Sequence, residues 1–314
     1  MKIIRGLHNL PVFTQKTAVS IGNFDGLHLG HQRIIEMITQ VAKQQNLLTV
    51  VILFEPQPLE FFNAESAPAR LTPLHEKFKL LAEAGIDYLV CLYFNQKLSQ
   101  MPASVFIQQI LLDHLKVAYL LVGHDFRFGY RREGDFDLLK NKAQNEGFQL
   151  ANCPAVQFDN VRISSTRVRD ALQRSDFAEA ARLLGRSYSL EGHVKFGEQR
   201  GRLLGFPTAN LLLKHDKLIL SGVFAVEVEA ESFGFYRGVA NLGVRPTINS
   251  GLSCRLEVYL FDFNGNLYGK RLKVIFRAKI RDEQRFSNVE ALKKQIQQDV
   301  LATETFFQMG KYDD

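Results

Sequence analysis

Short apolar runs alternate with stretches of helical periodicity through the first half of the chain, and this alternation constrains the fold more than any other feature. AVSIG (18–22), LLTVVILF (47–54), DYLVCLYF (87–94) and VAYLLVG (117–123) read as strands, with FQLANC (148–153) a weaker fifth. Between them HQRIIEMITQVAKQQ, PLHEKFKLLAEAG, ASVFIQQILLDHLK and DLLKNKAQNEG carry apolar residues at the spacing of a helix with one buried face. The second of these has Thr72 as N-cap and Pro73 at the first helical position. Strands that alternate with helices build a parallel sheet covered on both faces, so the first half is expected to be α/β.

A helical segment, STRVRDALQRSDFAEAARLLG, ends at Gly185, and the pattern then changes. VFAVEVEA and RLEVYLFDF alternate with period two, and Asn264-Gly265 separates LEVYLFDF from NLYGKRLKVIF, a strong hairpin signal. The second half is therefore expected to be an antiparallel β-barrel, closed by a terminal helix over SNVEALKKQIQQDVLATETFF. Two domains follow, 1–185 and 186–314.

The 314 residues carry a net charge of +6, with 20 basic against 18 acidic residues up to Gly185 and 19 against 15 beyond it. Neither half has the concentrated basic stripe of a nucleic-acid binder, and a mild excess suits a phosphate-rich small ligand equally well. No run approaches the roughly 20 apolar residues of a membrane span. MKIIRGLHNLPVF lacks an apolar core followed by a small-residue cleavage site, so no secretory signal is expected. Three dispersed cysteines, Cys91, Cys153 and Cys254, suggest neither a disulfide framework nor a C-x-x-C site. A cytoplasmic enzyme of small-molecule substrates is expected, with a weak homo-oligomer allowed.

In SIGNFDGLHLGHQRI (20–34), His28 and His31 stand where a strand ends and a helix begins. Three readings of the residues stand side by side. Asp25, His28 and His31 have tempting metal-ligand spacing but no obvious further ligand. The pair is equally readable as incidental turn histidines. As a nucleotide site, imidazoles at a helix N-terminus would hydrogen-bond phosphates as charge moves onto departing pyrophosphate. Gly22, Gly26 and Gly30 would then let the backbone approach without a Cβ in the way. VRISSTRVRDAL (161–172) supports the third reading, because Ser164, Ser165 and Thr166 offer hydroxyls at a helix start beside Arg162, Arg167 and Arg169. Taken alone, that stretch is also what a capped surface helix with solvated arginines would look like.

In the second half KFGEQRGRLLGFPTANL (195–211) places Gly197, Gly201 and Gly205 in one loop before Pro207-Thr208-Ala209-Asn210. It is not a P-loop, and by composition a plain barrel turn explains it as well. Thr208 and Asn210 are oxygen-bearing side chains two apart, able to reach a Mg²⁺ that also holds phosphate oxygens. Glu257 shares a strand face with Tyr259, Phe261 and Phe263 in the expected strand, either a solvated face or a lined pocket. In a pocket its carboxylate would accept the proton of an attacking hydroxyl.

GNFDGLHLGH with ISSTRVR resembles the nucleotidylyltransferase superfamily that carries an H-x-G-H motif. FEPQP (54–58), ARLTP (69–73) and VGHDFRFG (122–129) narrow the resemblance to the bacterial bifunctional riboflavin kinases/FMN adenylyltransferases, or FAD synthetases. GRLLGFPTANL, YRGVANLGVRPT, LEVYLFDFNGNLYGK and IRDEQRFSNVEALKKQI are similar, in order, to the riboflavin kinase module of that family. The resemblance implies a Rossmann-like nucleotidylyltransferase domain and a kinase barrel, with Mg²⁺ as cofactor and ATP, riboflavin and FMN as substrates. It implies that His28 and His31 contact ATP phosphates, within a site of Gly22, Asn23, Phe24, Asp25, Gly30, Arg162, Ser165 and Thr166. For the kinase it implies a phosphate loop of Gly197, Gly201 and Gly205, Mg²⁺ contacts from Thr208 and Asn210, and Glu257 as base. Asp125, Arg281 and Arg285 are the implied flavin contacts, while His124 receives no role. Two rivals are an aminoacyl-tRNA-synthetase-like enzyme, which the near-neutral first half disfavours, and a transferase whose barrel only binds or senses flavin.

Overall fold

The computed structural model describes residues 1–123, 125–196, 201, 204–213, 217–230, 233–247 and 251–310. Its first strands are β1 (Lys2–Arg5), β2 (Thr17–Ile21), β3 (Leu48–Glu55), β4 (Tyr88–Tyr93), β5 (Val117–Gly123) and β6 (Gln149–Cys153). They form one parallel six-stranded sheet in the order β1-β4-β3-β2-β5-β6. The inner strands are near-continuous apolar runs because both sheet faces are covered, and every residue of β2 is buried. The helices between them are α1 (Leu29–Gln45), α2 (Pro58–Phe62), α3 (Leu74–Glu83), α4 (Gln96–Ser99), α5 (Ala103–Val105) and α6 (Phe136–Glu146). Ile35 and Ile38 of α1 join Ala18, Val51, Leu53 and Leu121 in the core on one face. Val19, Ile52, Val90 and Leu120 face the other core layer, with Ile107, Ile110 and Leu111.

This α/β reading of the first half is borne out, with local differences. β1 escapes the apolar pattern because it is an exposed edge strand of polar and apolar residues. α3 begins at Leu74, one residue beyond Pro73. The helix expected over 103–116 is a short α-helix that continues as a π-helix over Phe106–His114. A two-stranded hairpin, β7 (Gln157–Phe158) and β8 (Val161–Arg162), follows β6. The segment read as one helix before Gly185 is two, α7 (Ser165–Gln173) and α8 (Phe177–Leu184). Ser175 breaks it with φ 57°, and Asp176 caps the second helix by accepting the Glu179 amide at 2.9 Å.

The second half is the expected antiparallel barrel. Its strands are β9 (Ser189–Lys195), β10 (Thr208–Leu212), β11 (Gly222–Ala230), β12 (Gly234–Thr247), β13 (Gly251–Leu260) and β14 (Arg271–Arg281). They close in the order β10-β13-β12-β11-β14-β9. Along β13, Cys254, Leu256, Val258 and Leu260 are buried while Arg255, Glu257 and Tyr259 are not, the period-two pattern of a strand with one core face. The terminal helix, α9 (Val289–Gln308), starts at Asn288, whose side chain accepts the Ala291 amide at 2.8 Å.

Asn264-Gly265 does not close a hairpin. β13 pairs with β10 and β12, so both its edges are occupied, and β14 pairs with β11 and β9. The turn pair lies in a crossover between strands that are not neighbours. β13 also ends at Leu260, so Phe261 and Phe263 lie beyond the strand; Phe263 meets Phe233 and Tyr236 rather than lining a face with Glu257.

By contacts the chain divides into Met1–Pro68 with Leu74–Ile163, and Ala69–Pro73 with Ser164–Asp314. The division falls before α7 rather than at Gly185. α8 explains this, because its Phe177 ring lies 6.0 Å from Phe224 and 6.1 Å from Phe276, both core residues of the barrel.

Candidate active sites

The strand order reverses between β2 and β5, and the turn after β2 sits at that reversal, where open parallel sheets take their ligands. Three residues of the turn have positive φ: Phe24 (46°), Gly26 (86°) and Leu27 (41°). His28 is the N-cap of α1, and its Nδ1 accepts the His31 amide at 3.4 Å. That bond places the His28 proton on Nε2, as a donor. The His28 and His31 rings stack with centroids 3.7 Å apart. A Cβ on Gly30 would stand 3.0 Å from the His28 ring, so glycine is what lets the imidazole lie against the helix start.

His31 Nδ1 is buried without a hydrogen-bond partner among the described residues. Burial, then the neighbouring His28, then the Lys77 charge hold its pKa well below the ordinary imidazole range. His31 therefore stands as a neutral imidazole, stacked on His28, at the N-terminus of a 17-residue helix.

The other residues of this turn divide by direction. Gly22 donates its amide to Ile52 O at 3.2 Å. Phe24 is buried beneath His31, with ring centroids 5.1 Å apart. Asp25 turns inward to Lys77 Nζ at 3.7 Å, and that ammonium donates to the Asn23 carbonyl at 3.0 Å. Among the described residues no group of three or more His, Cys, Asp or Glu side chains is set to hold a metal ion. Lys77 is a residue that sequence reasoning missed, although a lysine four positions before Leu81 on the buried face of α3 was a signal.

On the flanks of the same sheet edge the structure brings Asp125 and Arg162 together in an exposed pair at 3.3 Å. Ser165 and Thr166 open α7 in the second unit, beside the Ser164 cap that accepts the Arg167 amide. Arg167 is committed to Glu179 at 3.0 Å and Arg169 to the Ala69 carbonyl at 2.7 Å. His124 lies outside the described residues. A second feature missed in the sequence is an aromatic cluster after β3 and β4, where Phe54, Phe61 and Phe62 each meet Phe94 within 5.8 Å. Phe62, the last residue of α2, is 65 % exposed.

On the barrel, Asn210 of β10 stands directly opposite Glu257 of β13, and Asn241 of β12 stands opposite it on the other side. Cross-strand partners share a face, so these polar side chains form one row outside the barrel core. Thr208 lies in the next row, opposite Tyr259, whose ring meets Phe206 at 5.5 Å. Asn210 donates from Nδ2 to the Thr208 carbonyl at 3.4 Å, so Oδ1 is the atom it could offer to a cation. Glu257 is 27 % exposed and lies 3.7 Å from Arg255 Nη1. A Cβ on Gly201 would stand 3.2 Å from Thr208 Oγ1, so the loop there folds onto the first residue of β10. Gly205 has φ +90°, which other residues rarely adopt. Gly197 lies outside the described residues.

Arg281 is not turned outward. Its Nε and Nη2 each donate to Asp299 of α9 at 2.7 Å, and Nη1 donates to the Asp282 carbonyl at 2.8 Å. This bidentate, largely buried pair ties α9 to β14. Arg285 is exposed on the segment after it.

Comparison with known proteins accounts for both halves. A family model described as FAD synthetase matches residues 11–167, and one described as riboflavin kinase matches residues 184–307. The bifunctional riboflavin kinase/FMN adenylyltransferase of Escherichia coli K12 is 45% identical over 312 residues, 99% of each chain. That of Pseudomonas fluorescens is 45% identical over 302 residues, 96% of each. A solved structure titled macrolide-efflux protein, from Streptococcus pneumoniae, matches at 29% identity with a TM-score of 0.78, covering 95% of this chain and 97% of that one. Among the described residues here, no helix is long and apolar enough to cross a membrane. With relatives at this identity aligned end to end, the chain belongs to the bifunctional riboflavin kinase/FMN adenylyltransferase family.

Proposed function

We propose that this chain makes FAD in two ATP-dependent steps, with adenylyl transfer in residues 1–185 and riboflavin phosphorylation in residues 186–314. The observation that carries the first assignment is the buried His31 Nδ1, without a hydrogen-bond partner among the described residues, beside His28 at a helix start where the strand order reverses. A buried polar atom without a partner costs roughly 1–3 kcal/mol, and a nucleotide phosphate offers one. In this step a phosphate oxygen of FMN attacks the α-phosphorus of ATP, and pyrophosphate leaves. His28 and His31 hydrogen-bond the departing phosphates, joined by Arg162, Ser165 and Thr166, while Gly22, Gly26 and Gly30 leave room for the triphosphate. The exposed Phe62 ring and its neighbours offer an apolar platform for the isoalloxazine, and Asp125 is a further candidate flavin contact.

In the barrel, Glu257 takes the proton of the riboflavin 5′-hydroxyl as that oxygen attacks the γ-phosphorus of ATP, giving FMN and ADP. The donor set fits Mg²⁺: a hydroxyl from Thr208 and a carbonyl from Asn210 are hard oxygen ligands too few for a protein cage, as expected of a metal held mainly by phosphates and water. When bound, the cation neutralises charge on the transferring phosphoryl group. Gly201 and Gly205 keep the neighbouring loop free of side chains against the phosphates. Arg285, exposed on the segment after β14, is the candidate flavin contact, and Arg281 ties the end of β14 to α9 through Asp299. The substrates are small molecules and the setting is the cytoplasm.

Incubation of the purified chain with riboflavin, ATP and Mg²⁺, followed by chromatography over time, tests this directly. FMN should appear first and FAD after it; flavin bound but left unconverted would favour the sensing barrel. A fragment beginning at Ser164 should still form FMN. One beginning at Arg186 loses Phe177 from against Phe224 and Phe276, and should melt well below the longer fragment. Removal of a buried phenylalanine typically costs about 3–5 kcal/mol. A Ser164 fragment that is folded by circular dichroism yet makes no FMN would refute this division of labour.

A further inference from the structure

We propose that Lys77 is a positioning residue for adenylyl transfer, its buried ammonium holding the turn over residues 23–28 in the shape that presents His28 and His31 to the nucleotide. This rests on the reading of that turn as the adenylyltransferase site. The Lys77 side chain is 2 % exposed, and that of its partner Asp25 is 3 % exposed. A lysine this deep is costly unless its charge is paired and its protons are accepted. Asp25 Oδ1 at 3.7 Å and the Asn23 carbonyl at 3.0 Å, which face the ammonium, belong to the turn that carries the histidines. An aliphatic residue would complete the buried stripe with Leu81 at no electrostatic cost, so the position is poorly explained by core packing alone.

What the ammonium braces is a backbone in an uncommon conformation. Phe24 and Leu27 are non-glycine residues with positive φ, a conformation that persists only where surrounding contacts over-determine it. Lys77 supplies such contacts from a different element, fixing Asn23 and Asp25 on either side of Phe24. Phe24 in turn lies against His31, so the support reaches the imidazole pair through one buried ring.

The same ammonium also acts through its charge. It adds to burial and to His28 in keeping His31 unprotonated. The other titratable groups nearby are Asp25 in the turn, already paired to Lys77, and Tyr119 of β5 and Cys153 of β6 in the same core layer. Burial raises the pKa of both Tyr119 and Cys153, so neither contributes charge near neutrality.

The test compares Lys77→Met, Lys77→Arg and the double variant Lys77→Met/Asp25→Asn in the full-length chain. FAD formation from FMN is followed across the imidazole range, about pH 5 to 8, with riboflavin phosphorylation measured as a control on the same samples. Lys77→Met should lower kcat for FAD formation roughly 10²-fold, the scale of misplacing a catalytic group by about 1 Å. Its acid limb should move to higher pH, because loss of a positive charge lets His31 take up its proton more readily. Lys77→Arg should leave that limb in place, and phosphorylation should be unaltered in every variant. If Lys77→Met does not fold, the double variant, which leaves no unpaired buried carboxylate, should fold and show the same loss of kcat, with a smaller displacement of the limb because a negative charge leaves with the positive one. A folded variant with unaltered kcat and limb overturns the proposal, as does a double variant that cannot fold, which would assign Lys77 to the fold alone. If the unmodified chain forms no FAD, the reading of the site fails first and the role of Lys77 falls with it.

Discussion

His28→Ala and His31→Ala should each lower FAD formation from FMN by roughly 10²–10³, the usual scale for loss of one transition-state donor. The expectation follows from their geometry. Negative charge builds on the leaving pyrophosphate as the α-phosphorus is displaced, and stabilisation is largest when donors are already aimed where the charge will be. His28 is fixed as a helix cap, and its ring is stacked on His31. Little reorganisation is then left for the moment of reaction. The two substitutions should also differ in side effect. His31→Ala removes a buried atom that has no hydrogen-bond partner among the described residues, so it should cost little stability or even raise it. His28→Ala removes a cap, whose loss costs about 0.5–2 kcal/mol. Riboflavin phosphorylation is the control. Equal loss of both activities in a folded His31→Ala protein would make these histidines structural.

Much of this architecture can be read without coordinates, and the exceptions have physical causes. β2 to β5 are legible because burial on both faces leaves no room for polar residues, whereas β1, exposed at the edge, carries no such pattern. The Asn264-Gly265 turn misleads because hairpin chemistry is local while barrel closure is not; β13 has both edges filled by strands distant in sequence. The same limit applies to the sites. The H-x-G-H turn and the P-T-A-N strand are contiguous, so their residues announce themselves together. The Asp25–Lys77 pair joins residues far apart in sequence, and hydropathy counts Lys77 as solvent-facing. Arg281 illustrates the converse: an arginine in a flavin-associated segment is drawn as a ligand contact, yet its guanidinium is occupied by Asp299, eighteen residues on. Phe62 stands among other aromatics, so only its exposure distinguishes it from core.

Glu257→Gln should lower FMN formation from riboflavin by roughly 10²–10⁴, the range for loss of a general base. A primary hydroxyl is a poor nucleophile near neutrality, and a carboxylate within about 3 Å takes its proton as the phosphoryl group arrives. Register places Glu257 for this task. It stands opposite Asn210, with Thr208 one row along the same face, so the proposed base and the proposed cation ligands lie on adjacent strands of a closed barrel. Strands joined this way hold side-chain positions more tightly than a loop, which suits a reaction carried mainly by alignment. Glutamine keeps the shape and a hydrogen-bonding oxygen, so riboflavin binding should survive. The substitution also removes the pairing with Arg255, but a partly exposed ion pair contributes only about 0–1 kcal/mol, too little to unfold the barrel. FAD synthesis from supplied FMN should continue, because its nucleophile is already an ionised phosphate and needs no base. Two assays on the one variant, started from riboflavin and from FMN, therefore separate chemistry from folding. Undiminished phosphorylation of riboflavin by Glu257→Gln would remove Glu257 as the base, and with it the choice of this outer strand face as the kinase site.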